Sequence, residues 1–207
     1  MQVKKPLVQQ RIMDIARDEF LLCGFHGATM RSIAQGAGAS LGNLYTYFAD
    51  KDDLFLALVQ PTVDTLDRSL EAASLLEPGP DFPLPPLAWL EDNPAPLILL
   101  IEEHLENLKL VFLLAEGSSL TQYPEELAQR ATDIFLQHLD AWEFATGSPA
   151  PTSGFFLHAL ATFFVTSLVE MLKHELDLDS IEGFVKDTVA FVNAGFRNFL
   201  PPSTFTD

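Results

Sequence analysis

Cysteine and basic residues are scarce in this chain of 207 residues. The single cysteine, Cys23, excludes an internal disulfide and a cysteine-cluster metal site, and we expect it to be a small buried apolar residue. Only 12 Lys and Arg stand against 29 Asp and Glu, which gives a net charge of −17. That balance is the opposite of the basic footprint that nucleic-acid-binding proteins normally carry.

The acidic excess is confined to the second part of the chain. Residues 1–60 carry six basic and six acidic side chains, whereas the remainder carries six basic and 23 acidic ones. An acidic body would repel phosphate and leave the neutral end as the only face able to approach DNA. We therefore predict two domains with different functions, residues 1–50 and residues 51–207, with the helix that begins at Lys51 connecting them.

Long uninterrupted apolar runs are also missing. Residues 144–169 contain no charge, but Pro149, Pro151 and Gly154 interrupt them and leave about sixteen residues, whereas a membrane span needs roughly twenty. We expect a helix buried on most sides by other helices, and no membrane segment. No apolar stretch follows Lys4 and Lys5 as it would in a signal peptide, so a cytoplasmic protein is expected.

Helical periodicity runs through the chain without strand alternation, so the predicted fold is all-α. Gly24 is expected to stop the first helix, and N-cap residues mark the next helix starts. The predicted helices of the first part begin near Val8, Thr29, Ser40 and Lys51, and the last of them ends near Glu77. A proline-rich linker or extended loop follows at 78–86. Further helices are predicted at 97–107, 108–116, 124–146, 154–176 and 180–200.

Two of these helices are short and are joined by Gly36-Ala37-Gly38-Ala39. Small residues allow close helix crossing, and glycine adopts positive φ without a Cβ clash. Two short helices joined by such a turn have the geometry of a helix-turn-helix, in which the second helix enters a DNA major groove. That helix is predicted at 40–47, with its N-terminal end nearest the bases.

One string of residues within this region is specific: Leu44-Tyr-x-Tyr-Phe-x-x-Lys-x-x-Leu54. Together with Gly24-Phe-His-Gly-Ala-Thr29 and Ile33-Ala34, it resembles the amino-terminal domain of the tetracycline-repressor (TetR) family of transcriptional regulators. The resemblance is dense over residues 8–60, and beyond them only the helix count and a Leu-Leu-Ala-Glu-Gly-Ser run at 113–118 match. It implies a three-helix DNA-binding domain followed by a larger helical domain for ligand binding and dimerisation.

Residue chemistry leaves several roles in this region open. Tyr45 and Tyr47 lie about 200° apart on a helix, so either one packs while the other reaches phosphate, or both reach strands that flank the groove. Arg31 is either a phosphate contact or a solvated residue. Lys51 opposes the helix macrodipole, which a phosphate would offset, unless it is only a surface lysine.

The resemblance implies phosphate contacts for Thr29, Tyr45, Tyr47 and Lys51, and base reading by the residues at 41–43. A helix N-terminus favours phosphate at Thr29 in any case. Asn43 could bond an adenine edge, and Leu41 could meet a thymine methyl group. The candidate DNA-binding residues are Thr29, Arg31, Ser40, Leu41, Gly42, Asn43, Tyr45, Tyr47 and Lys51.

The last two predicted helices, 154–176 and 180–200, carry more apolar side chains than a monomer could cover. The resemblance implies that they form a four-helix interface with a second copy. Twofold symmetry then predicts a palindromic double-stranded DNA operator with half-sites about 34–36 Å apart or modestly more. The resemblance also implies repression, although repression and activation are not distinguished by the residues.

A polar row recurs every four residues along the penultimate helix: His158, Thr162, Thr166, Glu170 and His174. It lines a ligand pocket, pairs across the dimer axis, or forms a hydrated edge. The first three are the candidate contacts for an unidentified small-molecule effector, and 13 of the 17 phenylalanines lie beyond residue 60, which favours an apolar or aromatic compound. No cofactor is expected, nor a metal, since Glu170 and His174 alone do not complete a coordination shell.

Two other function classes are an enzyme and a helical protein that does not bind DNA. An enzyme is not expected, because His26, His104 and His138 have no spaced carboxylate or cysteine partners that form a recognised catalytic arrangement. A helical ligand-binding or protein-interaction protein that does not bind DNA is the alternative. It would keep the acidic body but would not need the phosphate-reaching residues around Tyr45.

Overall fold

The computed structural model describes residues 4–78, 84–174 and 176–198. Within these ranges the regular structure is helical and contains no strand, so the predicted all-α fold is confirmed. The helices are α1 (Lys4–Gly27), α2 (Met30–Gly36), α3 (Leu41–Leu44), α4 (Lys51–Ser74), α5 (Pro85–Asp92), α6 (Ala95–Leu113), α7 (Tyr123–Thr146), α8 (Gly154–Lys173) and α9 (Leu178–Arg197).

The chain forms two compact units, each built from two segments. The first unit runs up to Thr65 and adds His104–Tyr123, and the second comprises Leu66–Glu103 and the described chain from Pro124 onward. The first unit therefore contains the helix-turn-helix, the start of α4 and the end of α6. Contacts between segments so distant along the chain are not visible in sequence periodicity.

Gly24 interrupts α1, as the sequence predicts. Its φ is 67°, in the left-handed region that glycine adopts readily, and the backbone NH of the next residue, Phe25, donates to the carbonyl of Leu114 (2.8 Å). The turn brings Phe25 against Phe55, which also contacts Phe20 at a ring-centroid distance of 5.1 Å. The expectation that Cys23 is buried is wrong: Cys23 is exposed.

The caps of the helix-turn-helix follow the prediction. Thr29 caps α2 by accepting the NH of Ser32 (3.1 Å), and Ser40 caps α3 by accepting the NH of Asn43 (3.1 Å). α3 is nevertheless shorter than the predicted 40–47, because the chain turns after Leu44, and the NH of Tyr47 bonds to the Leu44 carbonyl (3.0 Å).

Gly36 at the end of α2 and Gly38 in the turn before α3 have different roles. A Cβ on Gly36 would lie 2.8 Å from Cγ2 of Ile15, so the absence of a side chain allows α1 and α2 to pack closely. Gly38 has a φ of 63° and makes the reversal before α3.

Helix boundaries in the second part differ from the sequence-based ones at three points. α5 begins at Pro85, inside the stretch predicted as a loop, because proline is tolerated in the first turn of a helix. Residues 79–83 of that stretch lie outside the described residues. α6 is one helix rather than two, since the side chain of Asn107 donates to the Leu58 carbonyl (3.2 Å) and does not cap a new helix. α9 begins at Leu178, because Asp177 is its N-cap and accepts the NH of Ser180 (2.9 Å).

The second unit is built around an apolar core to which α8 contributes only one face. Its members are Leu84, Phe135, Leu139, Leu157, Leu160, Ala161, Val192 and Phe196. Among the described residues, α8 is the helix long and apolar enough to cross a membrane, but one such helix is weak evidence for a membrane segment. The expectation that it is buried on most sides is wrong, because only 22 % of its apolar window is buried in this chain.

Candidate nucleic-acid interface

α3 presents an open outer face at the residues predicted to read bases. Leu44 is completely buried and holds the helix on the first unit, while Gly42 and Asn43 are exposed. A Cβ on Gly42 would meet no atom within 4 Å. Because packing in this chain does not require glycine there, Gly42 leaves a place where another molecule can approach the backbone.

Beside α3 lies a surface depression of about 460 Å³. It brings together residues from the end of α1, from the two positions before α2, from α2, from α3 and the position after it, and from the start of α4. Five of the predicted DNA-binding residues line it: Thr29, Arg31, Leu41, Tyr45 and Lys51. The remaining lining residues are His26, Ala28 and Met30. Cationic side chains and hydroxyl groups therefore converge on one concave surface.

The two tyrosines of the motif have different surroundings. Tyr45 is 49 % exposed and lines the depression, which excludes the alternative in which it is a core residue. Tyr47 is half-buried. Between them, the hydroxyl of Thr46 donates to the Asn43 carbonyl (2.6 Å) and fixes the turn that follows α3.

Lys51 has partners that the sequence argument did not anticipate. Its ammonium donates to the backbone carbonyls of Phe25 (2.6 Å) and Ala28 (2.9 Å) and lies 4.3 Å from the centroid of the Phe25 ring. These contacts explain a cation at the start of α4 without any phosphate. They account for two of the three N–H donors of the ammonium.

The segment after α6 completes the first unit. Its Ser119 NH donates to the carboxylate of Asp52 (2.9 Å), and Gly117 lies beside His26, where a Cβ would be 3.7 Å from Nδ1 of that ring. This is the region of the Leu-Leu-Ala-Glu-Gly-Ser run. From the sequence, His26 is a candidate only for a catalytic role, although its position three residues before Thr29 in the motif at 24–29 indicates that it lies near the same surface.

The polar row of α8 does not form one site. Nδ1 of His158 lies 3.3 Å from the hydroxyl of Thr132 on α7, whereas Thr162 and Thr166 are exposed. At the C-terminal end of α8, the hydrogen bond from Lys173 (2.8 Å) lowers the pKa of Glu170, and the charges of Lys173 and His174 act in the same direction. In the part of the chain that the structure describes, no group of three His, Cys, Asp or Glu could hold a metal ion.

Comparison with known proteins finds a family match within the first part of the chain. Residues 12–58 match the family described as "Bacterial regulatory proteins, tetR family". The HTH-type transcriptional repressor AcnR of Corynebacterium efficiens is 33 % identical over 69 residues, which are 33 % of this chain and 37 % of that repressor. The chain thus aligns with little more than a third of the length of this curated relative.

Solved structures are similar over most of the chain. A TetR-like transcriptional regulator from Rhodococcus sp. RHA1 has a TM-score of 0.61 at 19 % identity and covers 91 % of this chain and 96 % of its own. FadR from Bacillus subtilis, in complex with stearoyl-CoA, has a TM-score of 0.56 at 17 % identity and covers 87 % and 96 %. At these identities the likeness shows the fold.

Proposed function

We propose that this chain, of which residues 12–58 match the tetR family of bacterial regulatory proteins, is a member of that family and a transcriptional repressor that binds a palindromic operator as a homodimer. The observation that carries this proposal is the outer face of α3 beside the depression. There, an open helix face and a set of cationic and hydroxyl side chains lie together on one surface of the first unit.

On DNA, α3 lies in the major groove with its N-terminal residues at the base edges. Asn43 bonds an adenine edge, Leu41 meets a thymine methyl group, and Gly42 allows the backbone to approach. The hydroxyl of Ser40 retains a proton to donate to a phosphate while its oxygen caps α3. Phosphate contacts come from Thr29, Arg31, Tyr45, Tyr47 and the third N–H of Lys51.

The charge distribution supports a regulator whose binding is selective. Residues 1–60 have no net charge and the rest of the chain is acidic, so general attraction to DNA is weak. Recognition then depends on a few contacts around Tyr45 and α3. The operator lies in the cytoplasm, which is the location we propose for the protein.

Exposed aromatic side chains on the last two helices support the homodimer. Phe155 is 81 % exposed on α8 and Phe191 is 74 % exposed on α9. Thr162 and Thr166 follow Phe155 by seven and eleven residues, so they share its helix face. We place both threonines in the interface with the second copy, which leaves His158 as the candidate for the effector pocket.

A small-molecule effector releases the operator in this proposal. Binding to the second unit would favour a conformation in which the two recognition helices are misspaced. The apolar core of that unit and the excess of phenylalanine beyond residue 60 favour an apolar compound. The stearoyl-CoA bound to FadR, a structure of the same fold, is in keeping with that choice.

Selection of DNA from a random pool of duplexes tests the proposal. The full chain is expected to enrich a palindrome whose half-sites are about 34–36 Å apart, or modestly further. An Asn43→Ala variant, changed at an exposed side chain, is the matched control and should enrich a more degenerate sequence at the contacted position. If the wild-type chain enriches no sequence, the alternative of a helical protein that does not bind DNA is favoured.

A further inference from the structure

The depression beside α3 contains one exposed, titratable side chain to which the proposed function assigns no role. His26 lies in the last turn of α1, three residues before Thr29, and lines the same depression as Arg31, Tyr45 and Lys51. It therefore lies on the same surface as the residues proposed to contact phosphate.

The backbone around His26 is held on both sides. The NH of Phe25 donates to the Leu114 carbonyl. The ammonium of Lys51 donates to the carbonyls of Phe25 and Ala28, which fixes the backbone on both sides of His26. Gly117 lies against the ring on the side of Nδ1. Because the backbone is fixed and the side chain is exposed, the imidazole is available to a molecule that enters the depression.

The charged groups near His26 favour an anion in the depression. Arg31 comes from α2, Lys51 from α4, and Tyr45 follows α3. Acidic groups also lie on these elements: the Asp52 carboxylate accepts the NH of Ser119, the Asp53 carboxylate accepts the NH of Ala49, and Glu116 precedes Gly117 and is exposed. On α1 the acidic residues are Asp14, Asp18 and Glu19, none of which lines the depression. Histidine is the side chain whose charge changes between pH 5 and 8, and a nearby anion favours its protonated form.

We propose that His26 is a further phosphate-binding residue of this surface, and that its protonation strengthens operator binding as the pH falls. The imidazolium donates an N–H to a phosphate oxygen in a charge-assisted hydrogen bond, so that operator binding takes up a proton in each subunit. The inference rests on the proposed function and adds a pH dependence to it.

Operator affinity measured against pH and salt tests this role. The probe is the palindromic duplex obtained by selection, and its dissociation constant is measured by fluorescence anisotropy at pH 6.0 and 8.0 over a range of salt concentrations. The proteins are the wild type, His26→Gln, which keeps a neutral hydrogen-bond donor, and His174→Gln, a control at an exposed histidine of α8.

The wild type and His174→Gln should bind about tenfold more tightly at pH 6.0 than at pH 8.0. Their salt dependence should also be steeper at pH 6.0, by about one released counterion per subunit. Both differences should disappear in His26→Gln. If His26→Gln keeps the wild-type response to pH and salt, the inference is overturned and the proposed function stands. If no protein binds the duplex specifically at either pH, the proposed function fails and this inference with it.

Discussion

The ammonium of Lys51 lies 2.6 Å from the carbonyl oxygen of Phe25 and 4.3 Å from the centroid of the same residue's ring. It also donates to the carbonyl of Ala28, the residue before the N-cap of α2. The start of α4 is thereby joined to the end of α1 at the edge of the depression. Lys51 therefore positions the proposed phosphate-binding residues, whatever it contributes to DNA directly.

Replacing Lys51 should destabilise the protein. Lys51→Met keeps the apolar stem but removes two charge-assisted hydrogen bonds and the contact with the Phe25 ring, so we expect the free energy of unfolding to fall by about 1–2 kcal/mol. Urea unfolding at a fixed protein concentration measures this loss of free energy. Lys186→Met, which removes an exposed ion pair with Glu182, is the control and should cost less than about 0.5 kcal/mol. Equal effects would contradict the structural role of Lys51.

Two glycines of the helix-turn-helix should respond in opposite ways to alanine. Gly36→Ala places a Cβ 2.8 Å from Ile15, so we expect a loss of about 1–3 kcal/mol in stability. Gly42→Ala meets no atom of this chain within 4 Å and should leave the melting temperature unchanged or raise it. It should nevertheless weaken operator binding, because the backbone can no longer approach the bases. Wild-type affinity for Gly42→Ala would argue against the proposed docking of α3.

His138 should make the stability of the fold depend on pH. Burial lowers the pKa of its imidazole below 6.5, and the hydrogen bond to the carbonyl of Ala73 (3.0 Å) opposes this shift only in part. As the pH falls below about 6.5, the unfolded chain takes up a proton that the folded chain does not, so stability decreases until the lowered folded-state pKa is passed.

Thermal unfolding of the wild type and of His138→Gln between pH 7.5 and 5.5 tests this linkage. The wild type should lose more stability over that range than the variant, even if the variant is less stable at every pH. His174→Gln should follow the wild type, because that histidine is exposed. If the stability of the wild type and of His138→Gln falls in parallel with pH, the lowered pKa of His138 is refuted as the cause.

The exposed aromatic residues of the last two helices should mediate dimerisation. A charge at Phe191, which is 74 % exposed on α9, has little effect on the isolated chain but is incompatible with an apolar interface. Phe191→Glu should therefore be a folded monomer in sedimentation equilibrium at micromolar concentration. Phe144→Glu, at a residue that is 94 % exposed on α7, is the matched control and should remain a dimer. A dimeric Phe191→Glu protein would show that the dimer interface does not include Phe191.

The sequence predicted the caps and turns of the first unit because these depend on local chemistry. Thr29 and Ser40 are caps as predicted, and the breaks at Gly24 and Gly38 follow from the conformational freedom of glycine. The candidate DNA-binding residues come from the same short stretch. Five of the nine indeed meet at one depression.

Contacts between distant segments were not predictable in this way. The partners of Lys51 are carbonyls 23 and 26 residues away, and the break expected in α6 was absent because Asn107 bonds to Leu58, 49 residues earlier. The proline-rich stretch predicts a linker or extended loop over 78–86, but prolines are compatible with the first turn of α5. The helix propensity of a short segment does not depend on such distant partners, so it cannot predict them.

The central claim, sequence-specific DNA binding by α3, is tested most directly by comparing two duplexes. The dissociation constant of the full chain is measured at 0.15 M salt for the selected palindrome and for a scrambled duplex of the same composition. The neutral first part and the acidic remainder predict weak binding to the scrambled duplex and an affinity for the palindrome that is higher by about a thousandfold or more. Equal affinity for the two duplexes would contradict the claim.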